Sequence, residues 1–192
     1  LAFSRQTEQE RIPVQVRIIV KEVAKFLRAS LPATIEIEQH IQSSATVLAD
    51  PTQIHQVLMN LCANAEHSMR QNGGKLVIKL EDTEVDGTFV AAYPEMAAGP
   101  HVKLSVSDSG YGIQTEIVDR IFDPFFTTKP VGEGNGLGLS ICFGIIQRMG
   151  GEIEVTSTVD VGTRFDIRLP LKKPMALKSE DLADQTSQNS GE

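Results

Sequence analysis

Tryptophan is absent from this sequence, and its only thiols are Cys62 and Cys142. The two cysteines lack metal-ligand spacing, and each falls on the apolar side of a helical pattern. They read as buried free thiols in a reducing compartment rather than as a disulfide framework. His40, His55, His67 and His101 are scattered, which leaves no zinc site to propose. No apolar run approaches the roughly 18 residues of a membrane span, and no signal peptide is visible. The cytoplasm is therefore the expected compartment for this stretch, with membrane attachment of a longer parent left open. A basic excess is also lacking: the net charge is −7. That argues against a nucleic-acid binder, whose surface is usually basic. A bound polyphosphate would then need local donors or a metal.

What is present is enough apolar sequence for one core: 192 residues, 41% of them hydrophobic. Apolar residues at 16, 19, 20, 23, 26 and 27 predict a helix over Ile12–Ala29, with Pro13 in its first turn. Thr34–Ile41 alternates as a half-buried strand does, and Ala45–Ala49 suits a second short strand. Asp50 is a candidate N-cap, with Pro51 just inside a helix that runs to about Gln71. Lys75–Glu84 and Val102–Val106 read as strands, joined by a long hairpin connection over Val85–Pro100. Leu139–Met149 predicts a helix, and Glu152–Ser157 and Thr163–Leu169 predict two strands joined by a turn. From Lys172 the chain turns polar and loses any core pattern, which predicts a disordered tail or linker over 172–192. Leu1–Arg11 resembles the close of an earlier helix. Between them, 12–171 is expected to form one α+β domain, a mixed and mostly antiparallel sheet with helices on one face.

Several residues carry chemistry. Asn60 and Asn64 stand one turn apart, about 6 Å along the axis, beside the apolar stripe of Ile54, Val57, Leu58, Leu61, Ala65 and Met69. Asparagine is a mediocre helix former, so the pair calls for an explanation. An amide oxygen is a good ligand for Mg²⁺, which takes oxygen donors and shares them with phosphates; the plainer alternative is two amides pointing into solvent. Asp108 closes a predicted strand and enters D-S-G-Y-G. A carboxylate there can accept from an exocyclic amine such as that of adenine, whereas guanine offers a carbonyl and would leave two acceptors face to face. The alternative is ordinary Asp-x-Gly turn chemistry.

Phe122–Lys129 (FDPFFTTK) places three aromatics in a loop, an arrangement that either plugs a core or folds over a ligand. Lys129 is a candidate phosphate contact. Glycines at 132, 134, 136 and 138 follow and open directly onto a helix, whose first amides suit an anion. This run reads as a lid. It is neither a Walker A loop nor a dinucleotide fingerprint, since no Gly-Lys-Ser/Thr follows it and no strand immediately precedes it. Thr163 opens the last strand, where its hydroxyl could support Asp108.

Each signal alone is ambiguous, but their order is not. NLCANA at 60–65, DSGYG at 108–112, DPFFTTK at 123–129, GNGLGLS at 134–140 and GTRF at 162–165 together resemble the ATP-binding domain of two-component sensor histidine kinases. The resemblance covers about residues 12–171 and implies a Bergerat-type α/β sandwich with a mobile lid. By position it implies Mg²⁺ at Asn64 with Asn60 in support, and the adenine amine at Asp108, with Gly110 and Gly112 shaping the turn. It implies Phe125 and Phe126 at the start of the lid and Lys129 near phosphate. Gly134, Gly136, Leu137 and Gly138 would supply phosphate-facing backbone, with Thr163 behind the adenine pocket. His67 departs from the basic residue many relatives place near the phosphates, so it is not assigned as a ligand.

The resemblance also implies what the chain lacks. No histidine stands in an H-E-[IL]-R-N-P-type phosphoacceptor context. The implied partners are therefore a histidine-bearing dimerisation domain of the same parent, expected to be a homodimer, and a response regulator or receiver domain. Hydrolytic relatives carry a Glu at the position of Asn60 as general base for water, and an amide cannot take that proton. A histidine kinase fits better than a hydrolytic ATPase; a non-enzymatic nucleotide-sensing module is the third alternative.

Overall fold

The computed structural model describes residues 11–130 and 134–171. The expected helix end before Arg11, Gly132 and the polar stretch from Lys172 lie outside them. In chain order the elements are β1 (Ile12–Gln15), α1 (Val16–Ser30), β2 (Ile35–Ile41), β3 (Thr46–Ala49), α2 (Pro51–Met69) and β4 (Gly74–Val85). There follow α3 (Gly87–Ala92), β5 (Gly99–Asp108), α4 (Thr115–Val118), α5 (Gly138–Arg148), β6 (Glu152–Thr158) and β7 (Gly162–Pro170).

Five strands form one sheet in the order β2-β4-β5-β7-β6. Only β2 and β4 pair in parallel; the other three pairings are antiparallel. The parallel pair is the one whose connection contains a long helix, α2, as parallel pairing requires. Alternation along the strands sends Leu76, Ile78 and Leu80, Val102, Leu104 and Val106, and Phe165, Ile167 and Leu169 into the core. Register places Ile78 beside Val106 and Leu104 beside Ile167. Against this face pack Val16, Val20 and Val23 of α1, Ile54, Leu58 and Leu61 of α2, and Ile145 and Ile146 of α5. Each such side chain, fully buried, contributes about 1.5–3 kcal/mol. The mixed, mostly antiparallel α+β layer expected from the sequence is observed, with its three longer helices on one face.

Two local expectations are corrected. Residues 12–15 are not the first turn of a helix. They form a strand that pairs with β3 in a separate two-stranded sheet, Ile12 opposite Ala49 and Gln15 opposite Thr46. Val14 is buried while Ile12 and Pro13 are exposed, and a proline without N–H is tolerated on an edge strand. The connection over 85–100 is also shorter than expected, because β4 and β5 extend into it and enclose α3. Asp86 caps that helix, its Oδ1 accepting from Phe89 N–H at 2.9 Å. Phe89 and Tyr93 stack at 4.7 Å, and the Arg168 guanidinium sits 4.4 Å over Phe89. Arg168 alternates with the core residues of β7, so α3 lies on the sheet face opposite α1, α2 and α5.

Candidate functional site

The start of α2 follows the sequence signals closely. Asp50 Oδ1 accepts from Thr52 N–H at 2.8 Å, and Pro51 opens the helix. This sets the helical phase. Ile54, Leu58, Leu61 and Ala65 face the sheet, which turns Asn60, Asn64, His67 and Ser68 toward a cavity of about 640 Å³. Beyond Asp108, the rest of the lining comes from residues within 111–129, 134–139 and 159–165.

Asp108 owes its position to strand phase. It continues the core-facing series 102, 104, 106, so its side chain leaves the sheet on the helix side, beside Thr163 of β7. Its Oδ1 accepts from Gly110 N–H and lies within bonding distance of Ser68 Oγ, both at 2.9 Å. Burial pushes the Asp108 carboxyl above the usual range, opposed by bonds from Gly110, Ser68 and the Thr163 backbone. The Thr163 hydroxyl is engaged elsewhere, 2.9 Å from Ser157 Oγ. Thr163 therefore reaches Asp108 through its backbone rather than through the hydroxyl the sequence pointed to. Gly112 takes φ +72, and a Cβ there would meet the Thr158 carbonyl at 2.2 Å. The turn after Asp108 thus packs directly on the β6–β7 turn, where Asp160 N–H donates to the Tyr111 carbonyl at 2.9 Å.

At the other end of the cavity, Lys129 Nζ donates to Asn64 Oδ1 at 3.2 Å. Asn60 does not turn toward Asn64. Its Nδ2 donates to the Gly138 carbonyl at 3.2 Å and lies 3.7 Å from Cys142 Sγ, tying α2 to the first turn of α5. Phe125 is 74% exposed and holds φ +66; its N–H donates to the Gly136 carbonyl at 2.9 Å. A Cβ at Gly136 would approach the Phe125 backbone to 2.4 Å, so only glycine permits this contact. Phe126 turns inward under Arg120, whose guanidinium lies 4.6 Å from the ring. Phe122 plugs the core against Phe143 and Phe165. The three clustered aromatics thus divide: one in the core, one on the cavity wall, one in solvent.

Asn60, Asn64, Asp108, Gly112, Phe126, Lys129, Gly134, Gly136, Gly138 and Thr163 share the cavity wall. Gly110, Phe125 and Leu137 stand behind or beside it. Leu137 is the N-cap position of α5, and its N–H is taken by Asn135 Oδ1 at 3.1 Å. Sequence reasoning missed the apolar floor of Ile113, Ile117, Ile121 and Leu139, a surface suited to a flat base. The four-residue spacing of the three isoleucines was the available signal. It also missed Ser68, for which no sequence signal existed. Cys62 and Cys142 are buried free thiols, pushed up to about 12 and about 11 by burial.

Among the described residues, no group of three or more His, Cys, Asp or Glu is arranged to hold a metal ion. A cation at Asn64 would draw one amide oxygen from the chain and the rest from phosphate and water, the usual manner of Mg²⁺. The donor fits: Asn64 Oδ1 already accepts from a cationic group. Among the described residues, no helix is long and apolar enough to cross a membrane.

The sequence matches, over residues 49–173, the family described as histidine kinase-, DNA gyrase B-, and HSP90-like ATPase. It is 34% identical over 171 residues to the sensor kinase CckA of Brucella abortus (strain 2308), a match that covers 88% of this chain and 18% of that protein. It is 39% identical over 125 residues to the sensor histidine kinase ZraS of Escherichia coli (strain K12), covering 65% of this chain and 23% of that one. The chain therefore spans about a fifth of the length of these curated relatives. Among solved structures, the catalytic domain of the histidine kinase ThkA matches with TM-score 0.68 and 32% identity, over 84% of this chain and 95% of that one. Full-length ShkA in complex with AMPPNP matches with TM-score 0.69 and 26% identity, over 89% of this chain and 33% of that one. Fold, cavity and sequence agree: the chain belongs to the histidine kinase-, DNA gyrase B-, and HSP90-like ATPase family, and within it to the ATP-binding catalytic domains of sensor histidine kinases.

Proposed function

We propose that this domain binds ATP with Mg²⁺ in the cavity and holds the γ-phosphate for transfer to a histidine on a separate dimerisation domain of the same parent. The observation that carries this reading is the polarity of the cavity. A half-buried carboxylate, Asp108, stands over an apolar floor at one end. An amide oxygen, a lysine and the first turn of a helix stand at the other.

Asp108 accepts the exocyclic amine of adenine, and Ile113, Ile117 and Ile121 flank the ring. Lys129 leaves Asn64 for a phosphate oxygen, because a phosphate accepts a charge-assisted bond more strongly than a neutral amide does. Asn64 then takes a cation. Mg²⁺, when bound, neutralises charge on the phosphates. The backbone around Gly134, Gly136 and Gly138 meets the phosphates at the start of α5, which has no side-chain cap. Asn60 holds that helix start against α2.

Phosphoryl transfer asks the protein chiefly for positioning and charge neutralisation. Hydrolysis would also require a base for water. Asn60 is an amide committed to Gly138, and among the described residues the carboxylates on the cavity wall are Asp108 and Asp160, both away from Asn64's end. Transfer to an imidazole is therefore favoured over transfer to water. The parent would work as a homodimer whose phosphohistidine supplies a response regulator or receiver domain. The test mixes this chain with a dimerisation domain bearing a phosphoacceptor histidine and follows label from γ-labelled ATP. Acid-labile, base-stable label on the acceptor is expected. Its absence, with ATP binding intact, would overturn the kinase reading in favour of a nucleotide-sensing module.

A further inference from the structure

Ser68 lies one turn past Asn64 on α2 and lines the cavity beside Asp108. Its Oγ stands 2.9 Å from Asp108 Oδ1 and 2.8 Å from the Ala65 carbonyl. Gly110 N–H donates to the same Oδ1 at 2.9 Å. Two donors occupy both lone pairs of one carboxylate oxygen. A third donor, arriving on a ligand, must go to the second oxygen.

The hydroxyl has one proton and two acceptors within reach. A bond to an ionised carboxylate is stronger than one to a neutral carbonyl, so the proton turns to Asp108 while that group is charged. The hydroxyl is also held in place. A Cβ at position 110 would lie 2.1 Å from Ser68 Oγ, which shows how tightly the turn after Asp108 packs on this side chain.

We propose that Ser68 is a positioning and specificity residue: its hydroxyl clamps the Asp108 carboxylate in its ionised form and directs the second oxygen at a purine amine, so that adenine is taken over guanine. This rests on the reading of Asp108 as the base-recognising group. Ser68 sits on the helix that carries Asn64, whereas Asp108 ends a sheet strand. The clamp therefore also ties the base end of the site to the helix that serves the phosphate end.

The test is a double-mutant cycle on the whole chain, titrated calorimetrically with ATP and GTP from about pH 5 to about pH 8. Ser68→Ala is expected to weaken ATP by about 3- to 10-fold and to narrow the ATP/GTP ratio. The acid limb of ATP binding should move to higher pH, because a carboxylate with one donor fewer protonates more readily. In an Asp108→Asn background the same substitution should have almost no further effect. Equal weakening by Ser68→Ala in both backgrounds, with an unmoved acid limb, would make Ser68 a packing residue and overturn the proposal. So would unchanged affinities for both nucleotides in Ser68→Ala. If Asp108→Asn alone left ATP and GTP binding unchanged, the base-recognition reading would fail first, and the clamp with it.

Discussion

The two ends of the cavity are built differently. At the base end, Asp108 ends a central strand paired on both sides, to Leu76 of β4 and Thr163 of β7. Its carboxylate is held by Gly110 and Ser68, and the turn behind it packs on the β6–β7 turn. At the phosphate end, the bonds of the described part of the 125–138 segment include Phe125 to Gly136 and Leu137 to Asn135 within it, and Lys129 to Asn64 and Gly138 to Asn60 across to α2. The contrast teaches a division of labour. Discriminating a base needs acceptors fixed before the ligand arrives, because a misplaced acceptor costs as much as a missing one. Closing over a triphosphate needs a segment whose bonds can be exchanged, and Lys129 resting on Asn64 is such a bond.

The largest expected break in this contrast is Asp108→Asn. Calorimetry should show ATP affinity falling by about 10- to 100-fold and the preference over GTP collapsing. Burial raises the Asp108 pKa in the folded chain. The neutral form is therefore favoured by folding, and the stability this group adds is present at low pH and lost as pH rises through the raised value. Asp108→Asn should then leave the neutral-pH Tm unchanged or higher while ATP binding falls. A clear drop in Tm would show Asp108 to be structural. Binding runs the other way: the ionised carboxylate accepts the amine more strongly than the neutral acid does, so wild-type ATP affinity should fade on acidification at a pH above the ordinary Asp value.

A smaller effect, about 10-fold, is expected at the other end. Asn64→Ala should reduce triphosphate affinity in Mg²⁺ to near its Mg²⁺-free level while leaving the ATP/GTP ratio alone. Persistent Mg²⁺ dependence would place the metal elsewhere. Smaller again is the exchange contrast. Amides of Phe125–Lys129 and Gly134–Gly136 should exchange quickly in the free chain and slow with ATP, whereas those of β5 should be protected in both states. Equal protection of the two regions without nucleotide would erase the difference between the ends. Least of all, Cys62 should resist alkylation near pH 8 until the chain unfolds, since its thiol is buried and pushed up to about 12.

Legibility in the sequence followed the range of the interaction. Asp50-Pro51 announced α2 because a cap bonds to its own first turn. Alternation over 75–84 and 102–106 announced β4 and β5 because strand phase is local. Residues 12–15 misled because Ile12, Pro13 and Val14 suit a helix start equally well, and only pairing with β3 makes them a strand. Asp86 was a readable cap, but α3 is held by Arg168 and Tyr93–Glu154 contacts from distant strands. In the site, Asn64 stood out as a polar residue where helix propensity did not favour it, and Asp108 as a carboxylate closing a strand into a glycine turn. Ser68 did not, since serine on a helix surface is unremarkable until a carboxylate forty positions away is set beside it.

By itself the sequence determined the helix and strand phases, the family motifs and their order, and with them the ATP-binding class of the domain. Those are properties of short segments, set by periodicity, capping and turn chemistry. Tertiary structure alone decided which partners each site residue meets: Ser68 and the Thr163 backbone at Asp108, the Gly138 carbonyl at Asn60, Lys129 at Asn64. The physical reason is that a hydrogen bond needs atoms within about 3 Å. For groups forty to eighty residues apart, only the packing of α2 on the sheet and on α5 brings them that close.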